Sequence, residues 1–118
     1  QIINDISFDN GSIAFSTDAA KYVFDNKIAL EICPTSNVQC GAYSNVSEHS
    51  FGELYKAGFN VTINTDNRLM SDITMSEEVS NVAESFGLDE KDILSITKNT
   101  IEAGFVESNL RTELLKKL

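Results

Sequence analysis

Two short apolar runs, separated by a helical segment, most constrain the fold of this chain. The first, IALEIC at residues 28–33, shows no alternation of apolar and polar residues, which is typical of a strand buried on both faces of a parallel sheet. The second, FNVTIN at residues 59–64, is rich in the β-branched residues that favour strands. The sequence therefore predicts two buried strands that run parallel to each other.

The segments around these two runs have the patterns of helices. Between the strands, a helix is predicted from about Ser47 to Lys56, with Ser47 or Ser50 as its cap and Gly58 as the left-handed residue that ends it. Residues 1–15 predict two short extended pieces around a turn. Strands that alternate with helices indicate an α/β fold with parallel strands. Further helices are predicted from residue 16 to about residue 25, at 76–86 before Gly87, at 89–103 with Asp89 as cap, and at 108–118.

The number of predicted strands is too small for a complete α/β domain. Two strong strands and one weak one cannot form a covered parallel sheet, and unpaired strand edges promote association between chains. We therefore expect the chain to belong to something larger, and to self-associate through its unpaired strand edges when it stands alone.

The strong negative charge of the chain narrows its partners. The 118 residues carry a formal net charge of −9, and such a surface repels phosphate backbones and anionic lipids. No apolar run approaches the roughly 18 residues that span a bilayer. We therefore expect a cytoplasmic protein with neither nucleic-acid nor membrane partners. The acidic residues of the second half are predicted to form a solvated helix surface: Glu77, Glu78, Glu84, Asp89, Glu90 and Asp92.

Polar residues follow both predicted strands at their carboxyl ends. The first strand runs into CPTSN at residues 33–37 and the second into NTDN at residues 64–67. Because ligands of α/β folds bind outside the carboxyl ends of parallel strands, the two segments are predicted to face one mouth. Ser36 and Asn37 are expected to line it. Taken alone, Asp66 fits a helix cap or a turn as well as a site.

The segments LEICPTSNVQCGA and AGFNVTINTDNRLMS resemble the C-terminal part of the adenosine deaminase family, which belongs to the zinc-dependent, amidohydrolase-like barrels. The resemblance runs from about Ile28 to Leu118. It implies a (β/α)8 TIM barrel, of which this α/β chain is the C-terminal portion: the last two strands plus helices. Residues 1–118 would form a single partial domain, in which residues 1–15 match the family poorly.

The resemblance also implies roles for two neighbouring residues. Asp66 would be a ligand of a catalytic Zn²⁺ and would contact the metal-bound water, so it is both the catalytic and the metal-binding candidate. The reaction implied is hydrolytic deamination of adenosine to inosine by zinc-bound hydroxide. Asn67 would bind substrate by donating to a purine ring nitrogen, where many family members have a second Asp. Since that difference affects base preference, adenine or another aminopurine stays open as the substrate.

The chain lacks most of the zinc site that the resemblance implies. The family also uses a His-x-His on its first strand, further histidines on middle strands and a proton-donor Glu. This chain has one histidine, His49, at the start of the predicted interstrand helix, and we interpret it as structural. Cys33 is interpreted as a core residue because no histidine is placed to activate it.

A single carboxylate cannot hold a catalytic zinc, which needs at least three protein ligands. We therefore expect the chain alone to lack deaminase activity. A non-catalytic remnant or an interaction module that folds by association is the alternative function.

Overall fold

The computed structural model describes residues 2–9 and 12–118, and in them it has four strands and seven α-helices. The predicted turn at residues 10 and 11 lies outside the described residues. Single turns of 3-10 helix lie at Ile2–Asp5 and Val46–Glu48. The strands are β1 (Ile6–Asp9), β2 (Ser12–Phe15), β3 (Leu30–Ile32) and β4 (Val61–Ile63). The helices are α1 (Asp18–Asp25), α2 (Pro34–Gln39), α3 (Phe51–Lys56), α4 (Arg68–Ser71), α5 (Met75–Phe86), α6 (Glu90–Ala103) and α7 (Ser108–Leu115).

The predicted parallel pair of strands is present. β3 and β4 pair in parallel, and Ile32 lies opposite Ile63. Both strands are shorter than predicted, and β3 ends at Ile32 because Cys33 is the cap of α2 and Pro34 begins that helix. The sequence predicted that Pro34 only ends the strand, but the fixed φ of proline also suits a first helical turn. The prediction that β3 is buried on both faces is wrong for this chain, since Glu31 is exposed.

The N-terminal residues form the predicted pair of extended pieces. β1 and β2 pair antiparallel, with Ile6 opposite Phe15. Phe15 connects this hairpin to the rest of the chain, because its ring lies 5.3 Å from the ring of Phe24. The Phe24 ring in turn lies 5.0 Å, edge-on, from that of Phe59. Aromatic pairs at such distances and angles stabilise beyond the area they bury.

The core lies between one face of the parallel pair and the helices α3, α5 and α6. Its central side chains are nearly or fully removed from solvent, and burial of each stabilises the fold by about 1.5–3 kcal/mol. Val61 in β4 and Val82 in α5 are both 0% exposed. The buried cluster consists of Ile32, Phe51, Leu54, Phe59, Val61, Ile63, Val82 and Ile96.

Local capping sets the ends of the long helices, and the predicted caps Gly87 and Asp89 are confirmed, whereas α5 begins at Met75 rather than at the predicted residue 76. Thr74 and Glu77 form a capping box at the start of α5, and Gly87 ends that helix in the left-handed region at φ 64°. Asp89 and Asp92 form a second capping box at the start of α6. Each such box satisfies backbone N–H groups that the helix itself leaves without partners.

One member of the predicted solvated acidic surface is buried instead. Glu78 is 0% exposed, whereas Glu77 and Glu84 on the same helix are exposed. The prediction for Glu78 is therefore wrong, because its position in α5 faces the core one turn before Val82.

Among the described residues, no helix is long and apolar enough to cross a membrane.

Gly52→Ala is predicted to destabilise the chain by about 1–3 kcal/mol through overpacking. A methyl group at Gly52 would lie 2.5 Å from the ring of Phe86, where α3 approaches the end of α5. Urea unfolding should show most of this loss disappearing when Gly52→Ala is made together with Phe86→Leu, which shortens the opposing side chain. An equal loss with and without Phe86→Leu would contradict the steric explanation.

Candidate functional site

Asp66 lies after the end of β4 in a conformation that is uncommon for residues other than glycine, although aspartate adopts it more readily than most. Its backbone has φ 53°, in the left-handed region that favours glycine. Its side chain is exposed, so core packing does not explain the choice of residue. Lys27 and Asp72 share this backbone conformation, so it is the position of the Asp66 carboxylate at the carboxyl end of β4 that marks a candidate site.

The carboxyl ends of β3 and β4 meet, as the sequence predicted. Ser36, in the first turns of α2, donates from Oγ to Asp66 Oδ2 at 2.9 Å. Asn37 faces elsewhere, because its Oδ1 is paired with His49 Nε2 at 2.9 Å. The structure thus brings Ser36 to the Asp66 carboxylate and does not bring Asn37 into hydrogen-bond contact with it.

Asn67 is the N-cap of α4. Its Oδ1 accepts from the backbone N–H of Met70 at 3.2 Å, which satisfies one of the N–H groups that a helix leaves unpaired. This bond fixes which end of the amide faces the helix. The amide NH₂ has no hydrogen bond to the described residues, so it is available as a donor.

Cys33, the cap residue of α2, lies beside the same mouth. Burial raises the pKa of the Cys33 thiol, and the charges of Asp66 and Glu78 raise it further. Because the thiolate and not the thiol is the reactive form, this environment opposes a nucleophilic role. The prediction that Cys33 is a core residue is wrong, because Cys33 is only half-buried and lies outside the buried cluster.

His49 is a structural histidine that joins α2 to α3. Its side chain is 6% exposed, and its Nδ1 accepts from the backbone N–H of Phe51 at 2.9 Å. Since Nδ1 accepts, the proton is on Nε2, which donates to Asn37 Oδ1. The ring also packs on Tyr43 with centroids 4.1 Å apart. Both ring nitrogens are therefore engaged, which leaves neither for a metal.

Glu78 contacts the first turn of α2 beside the strand ends, and its role there was not predicted from the sequence. Its Oε1 accepts from the backbone N–H of Thr35 at 2.8 Å. Residues 78, 82 and 86 follow each other at helical spacing on α5, so periodicity alone places Glu78 on the buried stripe. Because the neighbouring acidic residues were predicted to be exposed, Glu78 was predicted to be exposed as well, in spite of its position on the buried stripe.

The described residues do not form a complete metal centre. Among residues 2–9 and 12–118, no group of three or more His, Cys, Asp or Glu side chains converges to hold a metal ion. Asp66 is consequently a single candidate ligand, and a zinc site needs at least two further side chains from elsewhere.

Comparisons with known proteins point to one family. The family model described as Adenosine deaminase matches residues 12–118. The chain is 46% identical over 99 residues to an adenosine deaminase of Shewanella halifaxensis, a match that covers 84% of this chain and 30% of that protein. It is 40% identical over 119 residues to an adenosine deaminase of Mycobacterium tuberculosis, covering all of this chain and 32% of that protein. The chain thus spans about a third of the length of these relatives.

Solved structures share the fold. An adenine deaminase from Arthrobacter aurescens aligns with a TM-score of 0.80 at 21% identity, over 86% of this chain and 31% of that one. An N6-methyl-AMP deaminase from Arabidopsis thaliana aligns with a TM-score of 0.73 at 27% identity, over 85% and 30%. These likenesses confirm the predicted fold class: the chain is α/β and forms a portion of a (β/α)8 TIM barrel.

The burial of His49 predicts a pH dependence of stability. Burial lowers the pKa of His49 below its ordinary value of 6.5, so the folded state binds fewer protons than the unfolded state. The stabilisation is complete above pH 6.5 and is lost as the pH falls through the lower folded value. Thermal or urea unfolding between pH 7 and about pH 5 should show this loss.

His49→Gln removes the titrating group and should flatten the pH dependence in that window, although it lowers stability at pH 7. The carboxyls of Glu77 and Asp92, whose pKa values are lowered mainly by hydrogen bonds from Thr74 and Tyr55, act at lower pH. Equal slopes for wild type and His49→Gln would show that His49 is not the group responsible.

Proposed function

This chain belongs to the adenosine deaminase family, as the strand-end motifs predicted, and on that premise we propose that it is part of a zinc-dependent deaminase that converts adenosine to inosine. The observation that carries the proposal is the Asp66 carboxylate, which stands exposed in a strained conformation at the end of β4. We propose that residues 1–118 form a single partial domain of that enzyme.

The chemistry of Asp66 suits a ligand of Zn²⁺. Its Oδ2 accepts from Ser36, and its Oδ1 has no hydrogen bond to the described residues, so one carboxylate oxygen is oriented while the other stays available. Carboxylate oxygen is an established zinc ligand, and bound zinc lowers the pKa of a coordinated water. When bound, the metal would supply that acidity. Asp66 would hold the metal at the strand end and orient the coordinated water.

Asn67 is proposed to bind the purine. Its Oδ1 is occupied by the cap of α4, which leaves the amide NH₂ to donate to a ring nitrogen. An amide donates without first being protonated, so this contact does not depend on pH in the way that a carboxyl at the same position would.

The names of the relatives favour adenosine as the proposed substrate. The relatives at 40–46% identity are named adenosine deaminases, whereas the structural neighbours include proteins named for adenine and for N6-methyl-AMP. All three compounds carry an amino group on a purine. Adenine or another aminopurine is therefore the alternative substrate, and a comparison of kcat/KM for adenosine and adenine distinguishes them.

A non-catalytic interaction module is the second candidate function. What supports it is that the described residues hold no group of three metal-ligating side chains. The two-stranded parallel sheet also leaves strand edges unpaired within the described residues, which favours self-association. Measuring the intact mass of the native polypeptide separates the two candidates, because a complete barrel needs about 250 residues.

The proposed setting of the enzyme is the cytoplasm, with a small purine and neither nucleic acid nor membrane as its partner. The net charge of −9 supports this, because it repels phosphate backbones and anionic lipids. We propose self-association through the strand edges only for the chain in isolation.

Asp66→Ala in the complete enzyme that carries this chain is predicted to abolish zinc retention and to lower kcat/KM for adenosine by at least about 1,000-fold, because metal assistance supplies several kcal/mol. Metal analysis of the purified protein and the loss of adenosine absorbance measure the two effects. Asp72→Ala, which changes another exposed aspartate with a positive φ of 48°, is the matched control. Full zinc content in Asp66→Ala would contradict the ligand role.

The isolated 118-residue chain provides a second measurement with the same assay. We expect no zinc-dependent conversion of adenosine to inosine, because one carboxylate is too few ligands. Measurable conversion by the isolated chain would contradict this expectation.

Asn67→Ser tests the substrate contact separately from the helix cap. Serine caps helices as well as asparagine does, but it lacks the amide NH₂. We expect kcat/KM to fall by about tenfold, the equivalent of one hydrogen bond, while the melting temperature stays unchanged. Asn67→Ala should lose both the contact and the cap. Unchanged kcat/KM in Asn67→Ser would remove Asn67 from the binding site.

A further inference from the structure

Glu78 is a buried carboxyl group whose position neither metal ligation nor substrate contact explains. Its side chain is 0% exposed within α5. Its Oε1 accepts from the backbone N–H of Thr35, and its Oε2 is buried without a partner. Burying a carboxyl is unfavourable unless it makes hydrogen bonds, so the bond to Thr35 is the contact that this position provides.

That bond holds the N-terminus of α2. Thr35 follows Pro34 in the first turn of the helix, where backbone N–H groups have no partner within the helix. Cys33, the cap residue, makes no side-chain bond to these groups. Glu78 therefore supplies from α5 the acceptor that a local cap would otherwise supply.

The next residue carries the connection to the candidate site. Ser36 donates from Oγ to Asp66 Oδ2 at 2.9 Å, so the position of α2 determines where that hydroxyl meets the carboxylate. The other end of α2 is also held, because Gln39 donates to the backbone carbonyl of Ser71 in α4 at 2.9 Å. Contacts at both ends thus fix α2 against the segments that flank Asp66.

We infer that Glu78 is a positioning residue for the deamination reaction: by holding Thr35 it sets the Ser36 hydroxyl that orients the Asp66 carboxylate. This inference rests on the proposed function of Asp66. Glu78 itself touches neither substrate nor metal, and its effect passes through backbone and hydroxyl hydrogen bonds.

The test uses three variants of the complete enzyme that carries this chain. Glu78→Met removes the acceptor at similar volume, Glu78→Gln keeps an acceptor for the Thr35 N–H, and Glu84→Met changes an exposed glutamate of the same helix. The measurements are kcat and KM for adenosine, the melting temperature, and the visible absorption spectrum of the cobalt-substituted enzyme, which reports the geometry of the metal ligands.

Glu78→Met should lower kcat about 10- to 100-fold, the range seen when groups that orient metal ligands are removed, and should shift the cobalt spectrum. Glu78→Gln should restore both, and Glu84→Met should change neither. A folded Glu78→Met enzyme with wild-type kcat and spectrum would overturn the inference while leaving the proposed function intact. Failure of Glu78→Gln to restore kcat would also overturn it.

If Glu78→Met does not fold, Ser36→Ala tests the same inference. It removes only the hydroxyl, so it should lower kcat and shift the cobalt spectrum in the same direction, with the melting temperature unchanged. Wild-type kcat in Ser36→Ala would overturn the inference. A wild-type enzyme that binds no zinc and deaminates no aminopurine would overturn the proposed function and this inference together, a result distinct from the loss of the Glu78 effect alone.

Discussion

The parallel pairing of β3 with β4 is the contact on which the candidate site depends. The paired strands are three residues long, but the ladder continues past them, since the backbone N–H of Asn64 donates to the carbonyl of Ile32 at 2.9 Å. Asn64 also donates from its amide to Thr62 Oγ1 at 2.8 Å. These bonds bring Asp66 and α2 to the same edge of the sheet, where parallel strands place their ligands.

The two faces of this sheet differ in a way that follows from the barrel architecture. Ile32, Val61 and Ile63 are buried under the helices, so the outer face of the barrel wall is complete in this chain. Glu31 on β3 is exposed, because no described residue covers it. Alternation along a strand sends successive side chains to opposite faces. The helical layer thus covers one face, whereas the other face is exposed at Glu31 and buried at its partner Thr62. Further strands of a barrel would pair with the unpaired edges of this two-stranded sheet.

Helix caps were predicted from the sequence, whereas a helix with an ambiguous start and a residue buried by a tertiary contact were missed. Gly87 and Asp89 were predicted as helix ends because capping needs only neighbours in the chain. The helix α2 was missed because Pro34 is both a strand terminator and a favourable first helical residue. The burial of Glu78 was missed because its hydrogen-bond partner, Thr35, lies on another element. Asp66 came from the family resemblance, since its residue type alone fits a turn equally well.

The buried polar side chains near the strand ends stabilise the fold, whereas the exposed Asp66 does not. His49 and Glu78 are buried and hydrogen-bonded to backbone N–H groups, so they contribute to the structure of the strand-end loops. Asp66 is exposed and has φ 53°, a conformation that glycine would adopt with less strain. The Asp66 side chain makes no contact in the core, and its carboxylate accepts a hydrogen bond from Ser36. The proposed role of Asp66 as a metal ligand would account for a carboxylate at this position, and the Ser36 hydroxyl already orients one of its oxygens.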